Sequence, residues 1–266
     1  MKIFGLVGYP LSHSYSPKLH EIIAQEKGVF LEYKLFPIKE IKQIETIISK
    51  LKRHEIYGFN VTIPYKESIM PYLDVISDKA LKIKAVNTVY LKDGKVYGDN
   101  TDYDGFKGLL DQNMIDLSNK KVIILGSGGA SKAVYQVLMD LAIEPIVVSR
   151  TKIVDQAFKH IMLYEDLKAS DYDVIINTTP VGMYPLVDQS PLEAKYVKDK
   201  LVIDLIYNPK ETKLMHDGKN SFNGLDMLII QAMVAENIWF NQKDIQKLIG
   251  FKEIREAFDE YLRKTI

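Results

Sequence analysis

The chain has 266 residues, with 35 lysines and arginines balanced by 35 aspartates and glutamates, so a broadly basic nucleic-acid surface is disfavoured. It holds no cysteine, which removes disulfides, thiolate catalysis and thiolate-bound zinc and suits the cytoplasm. No apolar run reaches the length of a membrane span, and the apolar start over residues 1–8 is too short for a signal peptide.

Strand and helix signals alternate from the start. Residues 3–7 form a short apolar run ending at Gly8, which predicts a buried strand. Ser16-Pro17 predicts a helix with Ser16 as its N-cap and Gly28 as its stop. Leu19, Ile22 and Ile23 give that helix an apolar face. Residues 31–36 read as a second strand. Ile41, Ile44, Ile48 and Leu51 mark a second amphipathic helix, and residues 57–62 a third strand. Residues 86–91 and 95–98 flank Asp93-Gly94, a hairpin turn signal. Asp102 is placed to cap a helix beginning near Tyr103. This half is α/β with a mixed sheet.

A second unit begins near Asp102. Residues 122–125 are a four-residue apolar strand, followed at once by Gly126-Ser127-Gly128-Gly129 and a helix over 130–141. Residues 146–149, 174–177 and 201–205 read as three more buried strands, so this half is a parallel, right-handed wound sheet. A long apolar helix over 225–240 and an amphipathic one through Leu248, Ile254, Phe258 and Leu262 carry no strand signal. They are expected to return to the first half, making one domain of 1–101 with 226–266 and another of 102–225.

The glycine turn points to a dinucleotide. A tight strand-to-helix turn needs glycine for its backbone angles and for close approach of a pyrophosphate, which the helix N-terminus then receives. Ser131 stands where the third glycine of the usual pattern would be, and Ala133 after Lys132 rules against a P-loop. NAD enzymes place an acid after the next strand to hold the ribose. Here that segment is Ser149-Arg150-Thr151-Lys152, whose basic groups suit a 2′-phosphate and predict NADP. In the first half, Ser14, Ser16, Asn60, Thr62, Lys66, Asn87 and Asp102 fall at strand ends, where α/β sheets bind ligands. Singly, each has an ordinary structural explanation. The five histidines show no metal-ligand spacing, and no G-x-S-x-G nucleophile elbow is present.

Together these segments resemble the shikimate dehydrogenase family over nearly the whole chain. The resemblance is carried by Gly8-Tyr9-Pro10-Leu11-Ser12-His13-Ser14-Tyr15-Ser16-Pro17, Asn60-Val61-Thr62-Ile63-Pro64-Tyr65-Lys66, Ala85-Val86-Asn87-Thr88 and Gly98-Asp99-Asn100-Thr101-Asp102. It continues through Gly126-Ser127-Gly128-Gly129-Ala130, Asn177-Thr178-Thr179-Pro180-Val181-Gly182-Met183, Asp204-Leu205-Ile206-Tyr207-Asn208-Pro209, and Gly224, Met227, Leu228 and Gln231. It implies a substrate domain (1–101 with 226–266) and a Rossmann-like NADP domain (102–225), with shikimate and 3-dehydroshikimate as small-molecule partners. The chain is then a monomer or homodimer with no nucleic acid, membrane or metal partner.

By position, the resemblance implies that Ser14, Ser16 and Tyr207 hold the substrate carboxylate. Thr62, Asn87, Asp102 and Gln231 read the ring hydroxyls, and Lys66 and Asp102 are the catalytic pair. Asp78, Gly126, Ser127, Gly128, Gly129, Ala130, Ser149, Arg150, Thr151, Lys152, Leu205 and Gly224 line the cofactor. Three positions depart from the family's common pattern: Ser149 stands for an asparagine, Val154 for a further basic residue, and Glu21 for an asparagine after His20. The alternatives are an NAD-dependent quinate/shikimate dehydrogenase, discriminated by quinate turnover, and a non-catalytic NADP-binding regulatory module, against which Lys66 and Asp102 together argue.

Overall fold

The computed structural model describes residues 1–11, 14–151, 157–240 and 250–265. The chain forms two compact units, Met1–Gly105 with Ile229–Ile266, and Phe106–Leu228. These divisions fall three or four residues beyond the 101/102 and 225/226 boundaries expected from sequence.

In the first unit, β1 (Lys2–Gly8), α1 (Ser16–Lys27), β2 (Leu31–Pro37), α2 (Ile44–Lys52), β3 (Gly58–Val61), β4 (Val75–Ile76), α3 (Asp78–Ile83), β5 (Thr88–Lys92) and β6 (Lys95–Asp99) follow in order. The sheet order is β2-β1-β3-β5-β6-β4. The first three strands are parallel, while β5 runs antiparallel to both β3 and β6, giving the mixed sheet the sequence predicts. Asp93 and Gly94 both have positive φ, as a two-residue primed turn requires.

Both sheet faces are covered. Phe4, Leu6, Ala24 and Tyr33 pack with Phe240 on one side. Val7 packs with Ile44, Ile47, Ile48 and Leu51 on the other. This two-sided burial is why β1 reads as a continuous apolar run rather than an alternating one.

The start of α1 corrects one expectation. Ser16 is the first helical residue, and the preceding Tyr15 makes no side-chain cap. The Ser14 hydroxyl accepts the Ser16 N–H instead, at 3.2 Å. Gly28 ends the helix in the left-handed conformation, as expected.

A helix α4 (Asp102–Gln112) leads into the second unit, which contains β7 (Val122–Leu125), α5 (Gly129–Asp140), β8 (Ile146–Ser149), β9 (Ile161–Leu163), β10 (Val174–Asn177), α6 (Ala194–Val197), β11 (Leu201–Asp204), α7 (Lys213–His216) and β12 (Asn220–Asn223). Its sheet is wholly parallel in the order β12-β11-β10-β7-β8-β9. Chain order reverses between β7 and β10, so the doubly wound sheet has its topological switch point there, where such sheets bind ligands. The chain returns through α8 (Leu225–Trp239) and finishes with α9 (Phe251–Thr265), whose Ile254 and Phe258 are fully buried. Leu248 lies outside the described residues. No described helix is long and apolar enough to cross a membrane.

Candidate functional site

Lys66 and Asp102 meet at the strand ends of the first unit. The Lys66 Nζ donates to Asp102 Oδ2 at 2.6 Å, and both side chains are largely shielded from solvent. The turn after β3 sets Lys66 in place: the Tyr65 N–H reaches the Thr62 carbonyl, the buried Tyr65 hydroxyl donates to the Ile38 carbonyl, and the Lys66 carbonyl accepts the Val86 N–H. Asp102 does not cap α4, as the sequence had allowed. The Asn100 side chain accepts the N–H groups of Asp102 and Tyr103 instead, leaving both Asp102 oxygens available. Its second oxygen, Oδ1, accepts from Asn87 Nδ2 at 2.9 Å. A carboxylate with a lysine on one oxygen and an amide on the other is fixed in orientation.

The other candidates of this unit surround that pair to different degrees. Asn87 is buried on β5's approach, where its Oδ1 takes the Thr101 N–H at 2.7 Å. The Thr101 hydroxyl reaches Gln231 Oε1 on α8 at 3.4 Å, so Gln231 joins the same cluster. Thr62 follows β3, its N–H bonded to the Val7 carbonyl. Ser14 and Ser16 sit together at the head of α1, Ser16 being mostly buried. Asp78 is exposed in the first turn of α3, whose cap is the Ser77 hydroxyl. Tyr207 is half-buried in the second unit.

The glycine turn of the second unit fits a dinucleotide pyrophosphate. Gly126 has φ of 103°, and a Cβ there would come within 2.8 Å of the Thr178 hydroxyl. Gly128, the residue before α5, has nothing within 4 Å of where its Cβ would stand, and no side chain caps the helix. The turn thus offers uncapped N–H groups beside an open face, the arrangement that receives a pyrophosphate. Ser131, in place of a third glycine, is fully buried and its hydroxyl donates to the Gly126 carbonyl at 2.7 Å, closing the turn.

At the far ends of β11 and β12, a Cβ on Gly224 would lie 2.0 Å from the Leu205 carbonyl oxygen, so only glycine lets these two backbones approach. Ser149 is buried and Arg150 exposed after β8, with the Arg150 charge acting on the Tyr164 hydroxyl. Thr151 follows them, and Lys152 lies outside the described residues.

One buried network was not legible in the sequence. Asp204, fully buried at the end of β11, accepts from Asn177 Nδ2 (2.9 Å), the Thr212 hydroxyl (2.7 Å) and the Ile206 N–H (3.1 Å). Asn177 in turn holds the Thr179 N–H and hydroxyl. Burial pushes the Asp204 carboxyl up to about 6, against the pull of its three donors. A folded value above the unfolded one means its stabilising contribution is complete below pH of about 4 and is lost as pH rises through about 6. Asp204→Asn is therefore expected to remove up to about 3 kcal/mol of pH dependence between pH 4 and 7. Urea unfolding of both proteins across that range checks this, and parallel curves would contradict it.

Comparison with known proteins places the chain among relatives. Residues 6–89 match the shikimate dehydrogenase substrate binding domain family. The chain is 44% identical over 249 residues to the NADP(+) shikimate dehydrogenase of Clostridium beijerinckii, covering 90% of this chain and 92% of that protein. The crystal structure of shikimate dehydrogenase 1 from Peptoclostridium difficile superposes with a TM-score of 0.88 at 39% identity, covering 98% of each chain. A shikimate dehydrogenase solved in complex with NADP+ matches at 34% identity with a TM-score of 0.83, over 98% of this chain and 96% of that one.

Proposed function

The chain belongs to the shikimate dehydrogenase family, and from that premise we propose that it catalyses the reversible, NADPH-dependent reduction of 3-dehydroshikimate to shikimate. The observation that carries the catalytic assignment is the 2.6 Å contact between Lys66 and Asp102 at the strand ends of the first unit. A cysteine-free chain suits a cytoplasmic setting for this chemistry.

NADPH supplies the hydride, and the protein must bind, orient and handle one proton. Reduction of a ketone leaves alkoxide character on its oxygen, which needs a proton. The Lys66 ammonium stabilises that charge and donates the proton; in the reverse direction its neutral amine accepts the proton of the hydroxyl. Asp102 orients the Lys66 Nζ and accepts from the neighbouring substrate hydroxyl. Asn87 keeps the Asp102 carboxylate turned toward Lys66. Thr62, Asn87 and Gln231 read the remaining hydroxyls, and Ser14, Ser16 and Tyr207 take the carboxylate.

On the cofactor side, the open turn at Gly126, Ser127, Gly128, Gly129 and Ala130 would receive the pyrophosphate, and Leu205 and Gly224 would line the cofactor. Asp78 is assigned to the cofactor as a further polar contact. Ser149, Arg150, Thr151 and Lys152 would meet the 2′-phosphate, with exposed Arg150 as its main partner. The preference for NADP over NAD rests on that basic segment and the absence of an acid in it.

Absorbance at 340 nm with purified protein and shikimate is expected to rise with NADP and to rise far more slowly with NAD. Reduction with NAD and quinate alone would move the assignment to the quinate dehydrogenase reading. Folded protein inactive with every pair would leave a binding module.

A further inference from the structure

Behind the Lys66–Asp102 pair runs a line of buried polar groups whose far members, Tyr33, Asn60 and Thr88, have no role in the reaction as assigned above. The Tyr33 hydroxyl, on β2, lies 2.7 Å from Asn60 Oδ1 on β3. Asn60 Nδ2 reaches both the Asn87 carbonyl (3.2 Å) and the Thr88 hydroxyl (3.1 Å). The Thr88 hydroxyl lies 2.9 Å from Asn87 Oδ1, and Asn87 Nδ2 lies 2.9 Å from Asp102 Oδ1. Tyr33, Asn60, Thr88, Asn87 and Asp102 are all buried.

Two backbone groups set the direction of the whole line. The Asn87 carbonyl can only accept, so Nδ2 of Asn60 must face it, and Oδ1 of Asn60 must face Tyr33. Tyr33 therefore donates. At the other end, the Thr101 N–H can only donate, so it fixes Oδ1 of Asn87, and Nδ2 of Asn87 must face Asp102. Between them, Thr88 accepts from Asn60 and gives its own proton to Asn87. One unbroken set of donors therefore runs from Tyr33 to the Asp102 carboxylate, while Asn60 Nδ2 also holds the Asn87 carbonyl and Asn87 Nδ2 also lies 3.1 Å from the Thr101 hydroxyl. Burial, and then the nearby Glu236 charge, hold the Tyr33 hydroxyl well above its ordinary value, so it stays a phenol and a donor.

We infer that Tyr33, Asn60 and Thr88 are positioning residues for the reaction, a donor chain that polarises Asn87 and holds the Asp102 carboxylate aimed at Lys66. The inference rests on the assignment of Lys66 and Asp102 as the catalytic pair. Aligned hydrogen bonds strengthen one another, so loss of the first donor is felt at the last acceptor. Three side chains, Asn60, Thr88 and Asn87, stand between Tyr33 and Asp102, so Tyr33 acts on the reaction through them.

The test uses Tyr33→Phe, Thr88→Val, Thr88→Ser and a stability control, Ile44→Val, which thins the same unit's core away from the chain. Tyr33→Phe is expected to lower kcat about 3- to 10-fold, the worth of one buried hydrogen bond, with KM for shikimate little changed. The acid limb of its kcat profile against pH moves to higher pH. Thr88→Val moves the same limb further, being nearer the carboxylate, and Thr88→Ser, which keeps the hydroxyl, retains the wild-type profile. In ligand-free protein, the carbon-13 resonance of the Asp102 carboxyl, assigned with Asp102→Asn, shifts in the first two variants. Ile44→Val lowers the melting temperature and moves neither the profile nor the resonance.

A wild-type profile and an unmoved resonance in folded Tyr33→Phe would overturn the inference, as would an equal shift in Ile44→Val. Tyr33→Phe removes a single oxygen atom, so it carries the test if Thr88→Val does not fold. If the wild-type protein fails to oxidise shikimate, the functional assignment falls by itself, and the resonance alone decides whether the chain acts on Asp102.

Discussion

Lys66→Ala is expected to lower kcat by about 10²- to 10⁴-fold, the usual contribution of a positioned general acid, while KM for shikimate changes much less. The split follows from what the side chain touches. Ser14, Ser16 and Tyr207, which take the carboxylate in the proposed binding mode, are unaltered, and so are Thr62, Asn87 and Gln231. The variant loses the proton donor and the cation that faces the developing alkoxide. Asp102 keeps its bond from Asn87 Nδ2, so the carboxylate is not stranded and the fold should survive. Steady-state kinetics with shikimate and NADP, beside a melting curve, check both parts. A folded Lys66→Ala protein that retains most of its turnover would remove Lys66 from the chemistry. A rise in KM with kcat intact would make it a binding group instead.

The parts of this fold that were legible in the sequence are those buried on both sides. Val122–Leu125, Ile146–Ser149 and Val174–Asn177 lie inside the parallel sheet and are covered on both faces, so each announces itself as an unbroken apolar run. The strands that escaped notice are edges. Asn220–Asn223 has no fully buried residue, Ile161–Leu163 is only partly buried, and Val75–Ile76 is two residues long. Pairing with one neighbour asks little of their side chains.

Caps misled for a related reason. A serine before proline, or an aspartate before a helical run, has the right chemistry to cap. The competing Ser14 and Asn100, each two residues upstream, take the helix N–H groups instead. Local chemistry named the right kind of bond and the wrong partner. The Lys66–Asp102 pairing, across 36 positions, has no local signal at all. It became legible only through the resemblance of whole segments. The Tyr33–Asn60 contact and the Asp204 network stayed hidden, because their members are ordinary residues until the sheet brings them together.

The same holds for the most heavily charged part of the first unit's interior, which gives the largest expected change in stability. His20 on α1 and Glu236 on α8 are fully buried, with Nδ1 and Oε1 3.0 Å apart. Lys27, at the end of α1, is also buried, its Nζ 3.6 Å from Glu236 Oε2 and 3.0 Å from Asn237 Oδ1. Burial draws the Lys27 amine below its ordinary value, and Glu236 pushes it back up, so the carboxylate is what keeps the lysine charged in that setting.

Glu236→Ala removes the counter-ion and leaves a buried ammonium with an amide as its neutral partner. It is expected to cost about 3–5 kcal/mol in urea unfolding at pH 7, the usual consequence of breaking a buried pair from one side. The double replacement Lys27→Met with Glu236→Gln takes away both charges, and a glutamine oxygen can still accept from His20. That variant is expected to recover most of the loss, since a buried pair as a whole adds little once both desolvation costs are counted. A loss under about 1 kcal/mol for the single variant would mean that water reaches Lys27 when Glu236 is cut back. A double variant as unstable as the single one would place the cost in packing between α1 and α8 rather than in the stranded charge.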